Sequence, residues 1–280
     1  MTNTQFNTDV TFVTHLRYDS EDRITNLQKI LNFYSFYFPN SKFILVEDDV
    51  VHNTNFNNIK FPAKTVFYFL QNNGIYHRTR ALNYGMFKSK TDTVVSLDTD
   101  CLVDPASLDL CCKQLKHNNT AIAWPYNGFF VDVSKKFHLD IKSVENSYNE
   151  CMTKFNKIHN ISLGQTYENF TIRCTDTLYK SVGGIVVFNT NLFKQIGGYN
   201  EKFIGWGAED DEINLRCQIL GYSNFRDTNK QSICFHLEHK SLLRHNNPFY
   251  QQNCNESDKV GQMSKEELIS YINTWKQSNS

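Results

Sequence analysis

No apolar run in the sequence approaches the roughly 18–20 residues that a membrane-spanning helix needs. The opening Met1-Thr-Asn-Thr-Gln-Phe-Asn7 has neither the basic nor the apolar region of a secretory leader. Charge of one sign is not in excess: 29 basic residues stand against 29 acidic ones and the pI is near 7.1. No global field therefore draws the chain onto nucleic acid, although a local cluster can still hold a phosphate. Eight cysteines are scattered without a CxxC pair, which argues against a structural zinc site. With no export signal the expectation is a cytoplasmic chain with reduced, mostly buried thiols. Internal repeats and low-complexity blocks are absent too.

What is present is ample material for a core. The 280 residues are 40% hydrophobic and 21% charged, with a mean hydropathy of −0.49, the composition of a globular chain of one large domain or two intimate halves. Thr11-Phe12-Val13 favours a strand. After Asp19 and Ser20, apolar residues recur with helical spacing at Ile24, Leu27, Ile30, Leu31 and Tyr34. Lys42 to Val46 is a second strand, closed by Glu47-Asp48-Asp49. Thr65 to Leu70 is a third, Tyr76 to Lys88 a helix, and Thr93 to Leu97 a fourth strand that runs into Asp98-Thr99-Asp100. One more helix and strand, Thr120 to Trp124, follow. The polar and aromatic stretch 126–180 has weak periodicity, and such an interruption of an α/β domain is usually functional. Gly184 to Asn189 restores a strand, a helix follows the acids at 209–212, and Ser264-Lys-Glu-Glu267 is a capping box opening a helix to about 276.

This alternation predicts an α/β fold with a mostly parallel sheet flanked by helices. The chain is expected to be a single domain over 1–280, with a nucleotide-binding half at about 1–100, an acceptor and catalytic half at about 101–240, and a C-terminal helix at about 264–276. Ligands of such sheets sit at the carboxyl ends of the strands. Three strands here end in Asp or Glu, which points to a cation or to sugar hydroxyls.

Three constellations carry chemistry. Asp98-Thr99-Asp100 is a DxD at a strand end, where Mg²⁺ or Mn²⁺ on one or two carboxylates keeps positions open for a diphosphate; two solvated turn aspartates are the plainer reading. In Gly205-Trp206-Gly207-Ala208-Glu209-Asp210-Asp211-Glu212, four acids at a helix start complement the helix dipole. That does not explain a Trp flanked by glycines, whose flat face suits a pyranose ring. Crowded carboxylates also raise one another's pKa, as a general base requires. Finally, the HxxH of His236 and His239 turns both rings to one side only if the backbone bends.

These residues carry a resemblance. Gln71-Asn-Asn-Gly74 followed by Tyr76-His-Arg-Thr-Arg-Ala-Leu-Asn-Tyr-Gly85 resembles the FNRAKLLNVG stretch of animal β-1,4-galactosyltransferases, and Asp98-Thr99-Asp100 that family's DVD. Val182 to Phe188, Ile196-Gly-Gly-Tyr199 and Gly205 to Glu212 resemble its GGVSAL…INGF…GWGGEDDD. The GWGAED form is also similar to the galactosaminyl-transferring domain of bacterial chondroitin polymerases. The blocks run in order over about residues 10–240.

The resemblance implies a GT-A fold and an inverting, metal-dependent transfer of a hexose or N-acetylhexosamine from a UDP-sugar to a hydroxyl of a glycan or glycosylated acceptor. It implies Mn²⁺ (or Mg²⁺) on Asp100, with Asp98 near the ribose and donor sugar and also counted with the metal residues, and Thr99 among the nucleotide-binding residues. Asp210 falls on the catalytic base, Glu209 and Asp211 on acids that contact sugar, and Trp206 with Gly207 on the sugar-stacking loop. Tyr76 takes the place of an aromatic on uracil and Arg78 of an arginine on the nucleotide side. Arg17 fits the nucleotide arginines loosely, and Glu47, Asp48 and Asp49 lie where GT-A enzymes hold the uracil edge. Where the family has Met and His as metal ligands, this chain has His236 and His239, and which of them binds is open. The family's N-terminal anchor finds no match in the opening residues, in line with the expectation of a cytoplasmic enzyme. Two other readings compete: an inactive, lectin-like sugar-binding module, and a nucleotidyltransferase, for which Thr14-His-Leu-Arg-Tyr-Asp19 lacks the glycine-rich loop.

Overall fold

The computed structural model describes residues 4–116, 119–137, 145–177, 180–239 and 247–278. Strands β1 (Thr11–Leu16), β2 (Lys42–Asp49), β3 (Thr65–Gln71) and β4 (Thr93–Leu97) alternate with helices α1 (Glu21–Tyr37) and α2 (Arg78–Phe87). Then come β5 (Cys101–Leu102), α3 (Pro105–Gln114), β6 (Thr120–Trp124), β7 (Phe130–Val133), α4 (Ser147–Phe155), β8 (Thr166–Tyr167) and β9 (Phe170–Cys174). The chain continues through β10 (Ile185–Asn189), α5 (Thr190–Gln195), α6 (Glu209–Ile219), β11 (Ser223–Arg226), β12 (Cys234–Leu237), α7 (Tyr250–Gly261) and α8 (Lys265–Ser278).

Among the described residues the strands form a seven-stranded sheet in the order β11-β6-β10-β4-β1-β2-β3 and a five-stranded sheet in the order β5-β12-β7-β9-β8. In the large sheet β3, β2, β1 and β4 are mutually parallel, while β10 runs antiparallel to both β4 and β6. This is the expected mostly parallel α/β sheet. β1 is buried at all six positions because it lies between two partners and under helices on both faces. Phe12 packs at ring-centroid distances of 5.1 Å on Tyr34 of α1 and 5.2 Å on Phe43 of β2, tying helix to sheet; such rings contribute about 1.5–3 kcal/mol each when fully buried.

The helix starts follow local chemistry. Asp104 accepts from Ala106 N (3.0 Å) ahead of Pro105, and Asn189 accepts from Asn191 N (3.1 Å) and Leu192 N (3.0 Å). The expected capping box is formed: Ser264 N donates to Glu267 (2.8 Å) and Glu267 N to the Ser264 hydroxyl (3.3 Å). Ser20, by contrast, sits at the start of α1 without a side-chain cap. Two boundaries also differ from expectation. The acids Glu47, Asp48 and Asp49 lie inside β2 rather than after it, since β3 pairs with all three. Helix α2 starts at Arg78, not Tyr76, because His77 N is spent on the Asp48 carboxylate (2.8 Å).

The stretch 126–180 holds β7, α4, β8 and β9, so much of the second sheet comes from it; residues 138–144 and 178–179 of it lie outside the described residues. All eight cysteines are unpaired and six are buried. Burial pushes the Cys112 and Cys217 thiols up to about 12, so they are inert packing groups.

Candidate active site

The site lies at the carboxyl ends of β1, β2 and β4, where parallel strands leave an open crevice. The second sheet closes it from one side. β5 follows directly on the DxD and pairs antiparallel with β12, setting His236 opposite Cys101; Leu237 N also donates to the Asp100 carbonyl (2.7 Å). The strand ends at Leu237, and the bend that follows carries His239 back to the same carboxylate. His236 Nε2 is 3.4 Å from Asp100 Oδ1 and His239 Nε2 3.2 Å from Oδ2. The ligand atoms of Asp100, His236 and His239 lie within 4.8 Å of one another, so both histidines face one point. Asp132 on β7 holds the other nitrogen of His236 at 2.8 Å and so fixes its ring. One carboxylate and two imidazoles fit Mn²⁺ better than Mg²⁺, which prefers oxygen. Cys101 lies within reach as well, but burial and its neighbour Cys234 push that thiol far up, and it stays a poor ligand.

A second cluster is built around Arg78, at the first turn of α2. Its buried guanidinium reaches Asp98 Oδ1 (3.2 Å), Asp210 Oδ1 (3.1 Å) and Glu209 Oε1 (3.4 Å). Burial opposes its charge, but these three carboxylates hold the proton more firmly than usual. Asp98 also meets His15 Nε2 at 2.8 Å. Burial would raise the Asp98 carboxyl; Arg78 and His15 outweigh that and keep it well below the usual range. Asp210 goes the other way. Burial pushes it up to about 7, helped by Glu209 and Asp98 and opposed by Arg78. Gly183 makes room for it, since an added Cβ there would come within 2.4 Å of Asp210 Oδ2.

The four acids of α6 have four different fates because successive helical residues point about 100° apart. Glu209 is buried and accepts from Gly207 N (2.8 Å). Asp210 enters the site. Asp211 is partly buried, and burial raises its carboxyl with help from Glu209. Glu212 is buried against Arg216 (2.8 and 2.9 Å) and is structural. Before them Gly207 adopts φ +125° and Ala208 φ +66°, a left-handed turn that leaves Trp206 47% exposed and stacked on Tyr250 of α7 (6.2 Å between centroids, 17° between planes).

The third cluster surrounds Tyr76. Its hydroxyl meets His15 Nδ1, and the Arg17 guanidinium lies 5.4 Å from its ring centre. Arg17 donates to the Asp48 carbonyl (2.7 Å) and the Gly74 carbonyl (3.1 Å), and its Nε is 3.7 Å from the Asp49 carboxylate. Asp48 is buried and accepts from Asn72 (2.6 Å) and His77 N (2.8 Å), so it anchors the 72–77 turn. Glu47 points to the opposite face, to His52 (2.6 Å) and Asn53 N (2.8 Å).

Residues 168–240 match the family model described as the N-terminal domain of galactosyltransferase. A mutant of Drosophila β1,4-galactosyltransferase 7, solved with manganese, UDP-Gal and xylobiose, superposes with a TM-score of 0.51 at 14% identity, over 91% of this chain and 80% of that one. The fold is that of a GT-A galactosyltransferase domain. The same Drosophila enzyme with xylobiose superposes at 0.49 and 15% identity, over 91% of this chain and 79% of that one. A probable N-acetylgalactosaminyltransferase 9 of Caenorhabditis elegans is 26% identical over 148 residues, 51% of this chain and 24% of that protein. The chain thus spans about a quarter of that curated relative. The galactosyltransferase match covers Gly183, the α6 acids and both histidines, but neither the DxD nor Arg78.

Within this GT-A frame the residues singled out in the sequence fall into three groups: Asp100, Thr99, His236 and His239; Asp98, Arg78, Glu209 and Asp210; and Arg17, Asp48, Asp49 and Tyr76. Trp206, Gly207 and Asp211 stand at the rim. The sequence reading missed His15, which ties Tyr76 to Asp98, and Asp132, which orients His236. It missed Arg23, beside Asp100, and Tyr250, under Trp206. His15 alone had a visible signal, two positions before Arg17 at the end of a buried strand.

Proposed function

We propose that the chain transfers a hexose or N-acetylhexosamine from a UDP-sugar to a glycan hydroxyl, with inversion at the anomeric carbon. The observation that carries this reading is the bridge made by Arg78: one guanidinium joins the first Asp of the DxD to Asp210, so the cation-binding motif and a carboxyl that titrates near 7 belong to one site. A base poised near the working pH is what proton abstraction from a hydroxyl asks for. The manganese and UDP-Gal of the Drosophila structure, and the hexosamine named for the nematode relative, point to the same donor class.

In the reaction Asp210 accepts the proton of the acceptor hydroxyl, whose oxygen forms a bond to the anomeric carbon as the bond from that carbon to the diphosphate breaks. UDP departs from the opposite face. Asp100, His236 and His239 would hold Mn²⁺, which supplies charge neutralisation to the leaving diphosphate. Asp98, kept ionised by Arg78 and His15, faces the ribose and donor sugar. Tyr76, braced by Arg17, offers its ring to uracil, and Trp206 stacks on the acceptor. The cytoplasm is the compartment we propose, on the support of eight unpaired thiols.

The test is hydrolysis and transfer from a panel of UDP-sugars. Turnover stimulated by Mn²⁺, abolished by EDTA and giving a product of inverted anomeric configuration by NMR is expected. Binding of sugars without turnover of any donor would select the lectin-like reading instead.

A further inference from the structure

Arg23 has no place in the motifs that resemble the galactosyltransferases, yet it occupies the metal corner. Two turns of sequence and structure put it there. Asp19, four residues earlier and just ahead of α1, grips its guanidinium through both Nε (3.1 Å) and Nη2 (2.9 Å). That fork leaves Nη1 pointing inward, onto Thr99 Oγ1 (3.1 Å) and Asp100 Oδ2 (3.4 Å), while Nη2 also approaches His239 Nδ1 (3.3 Å). The side chain is four-fifths buried. A fixed cation therefore shares Asp100 with the two histidines that would hold Mn²⁺.

Charge decides what this arrangement does. Asp19 neutralises Arg23, and Asp100 alone then faces a divalent ion; the ion next to Arg23 leaves the corner with excess positive charge. A nucleotide diphosphate brings at least two negative charges to the same point and satisfies ion and guanidinium together. Arg23 cannot retreat far, because Asp19 holds it by two hydrogen bonds.

We infer that Arg23 is a diphosphate-binding residue that makes metal and nucleotide binding depend on each other: it weakens the corner's hold on Mn²⁺ alone and strengthens its hold on UDP once Mn²⁺ is present. This rests on the metal and donor reading above. The coupling is reciprocal, as any coupling between two ligands must be, and couplings of this kind run from about 5- to 150-fold.

The experiment is calorimetry on the full chain with MnCl₂ alone and with UDP in saturating Mn²⁺, needing no turnover. Arg23→Gln should bind Mn²⁺ alone about fivefold or more tightly, and UDP in Mn²⁺ about tenfold more weakly. Opposite movement is the signature, since a damaged fold weakens both. Arg23→Lys, which keeps the charge but loses the fork, should bind Mn²⁺ alone as the unaltered chain does and UDP at an intermediate level. It also serves if the Gln variant does not fold. If both affinities move together, if neither moves, or if Lys shifts metal binding as Gln does, the role of Arg23 is overturned. Failure of the unaltered chain to bind Mn²⁺ or UDP at all would instead overturn the functional reading beneath it.

Discussion

Asp100 and Asp210 are both carboxylates at the ends of secondary-structure elements, and they live in opposite electrostatic surroundings. Around Asp100 the neighbours are the imidazoles of His236 and His239 and the guanidinium of Arg23. Around Asp210 they are Glu209 and Asp98, with Arg78 as the shared cation. The first corner is one anion beside a guanidinium and two imidazoles; the second is one cation ringed by carboxyl groups. A carboxylate that must bind a metal is best kept ionised, and one that must take a proton is best made reluctant to ionise. The same side chain thus stands in two electrostatic settings, the first suited to a cation and the second, where burial raises the Asp210 carboxyl, suited to taking a proton.

Removing each carboxylate in turn should have the largest effects. Asp100→Ala should abolish transfer and the Mn²⁺ dependence of UDP binding while the fold stays intact by circular dichroism. UDP binding with unchanged Mn²⁺ dependence would take Asp100 out of the metal corner. His236→Ala and His239→Ala should each raise the Mn²⁺ concentration needed for activity, and no change from either would make the pair structural.

Asp210→Asn comes next. General-base catalysis contributes about 10²–10⁴-fold, so turnover should fall within that range while affinity for UDP in Mn²⁺ changes little. Asp211→Asn, on a side chain that turns to the rim, should be milder. Comparing kcat with UDP affinity for both variants decides the matter: a dead Asp211→Asn beside an active Asp210→Asn would shift the base by one residue.

A smaller effect sharpens the metal side. Asp132 touches no proposed ligand of the diphosphate; it pairs with Arg173 at 3.2 Å and reaches the metal corner through His236, at 2.8 Å. Asp132→Asn should weaken Mn²⁺ binding by about 10–100-fold, as loss of an orienting partner does, and leave the pH profile of turnover in place. An unchanged metal affinity would show that His236 needs no orientation.

The mildest test is thermal. With its carboxyl raised from 3.8 to about 7, folded Asp210 keeps a proton that the unfolded chain has already released between about pH 4 and 7. Stability from this group is therefore full at low pH, falls as the pH rises through that window, and levels off above about 7. Asp210→Asn escapes the loss, so its gain in Tm over the unaltered chain should be larger by a few degrees at pH 8 than at pH 5. Turnover of the unaltered chain should rise over the upper part of the same window, as the base ionises. An equal Tm difference at both pH values would mean that Asp210 titrates normally.

The two corners also differ in how far they could be read in the sequence. The four acids of 209–212, the glycines around Trp206 and the apolar run into Asp98-Thr99-Asp100 are contiguous signals, and the strands at 93–97 and 120–124 match their expected bounds. The second sheet left no comparable trace. Its strands are two to five residues long, too short for a period to register, and β12 is a four-residue run that reads equally well as a buried loop. Helix α7 buries only Asn253 and Val260, so it carries no apolar stripe to find.

The alternation of strands and helices, the parallel character of the sheet, the carboxylates at its strand ends and the glycines that free the backbone before α6 are all written in the order of residues. Each of these is local, set by spacing, capping and side-chain shape within a few residues. The convergence of His236 and His239 on Asp100 comes from the folded arrangement, because it requires β12 to pair with β5, His236 opposite Cys101 135 positions earlier. That arrangement alone decided that Arg78 joins Asp98 to Asp210, that Arg23 enters the metal corner, and that Glu212 is structural while Asp210 is not. Those choices depend on which charges are left without water in one another's company, and burial is a property of the folded chain.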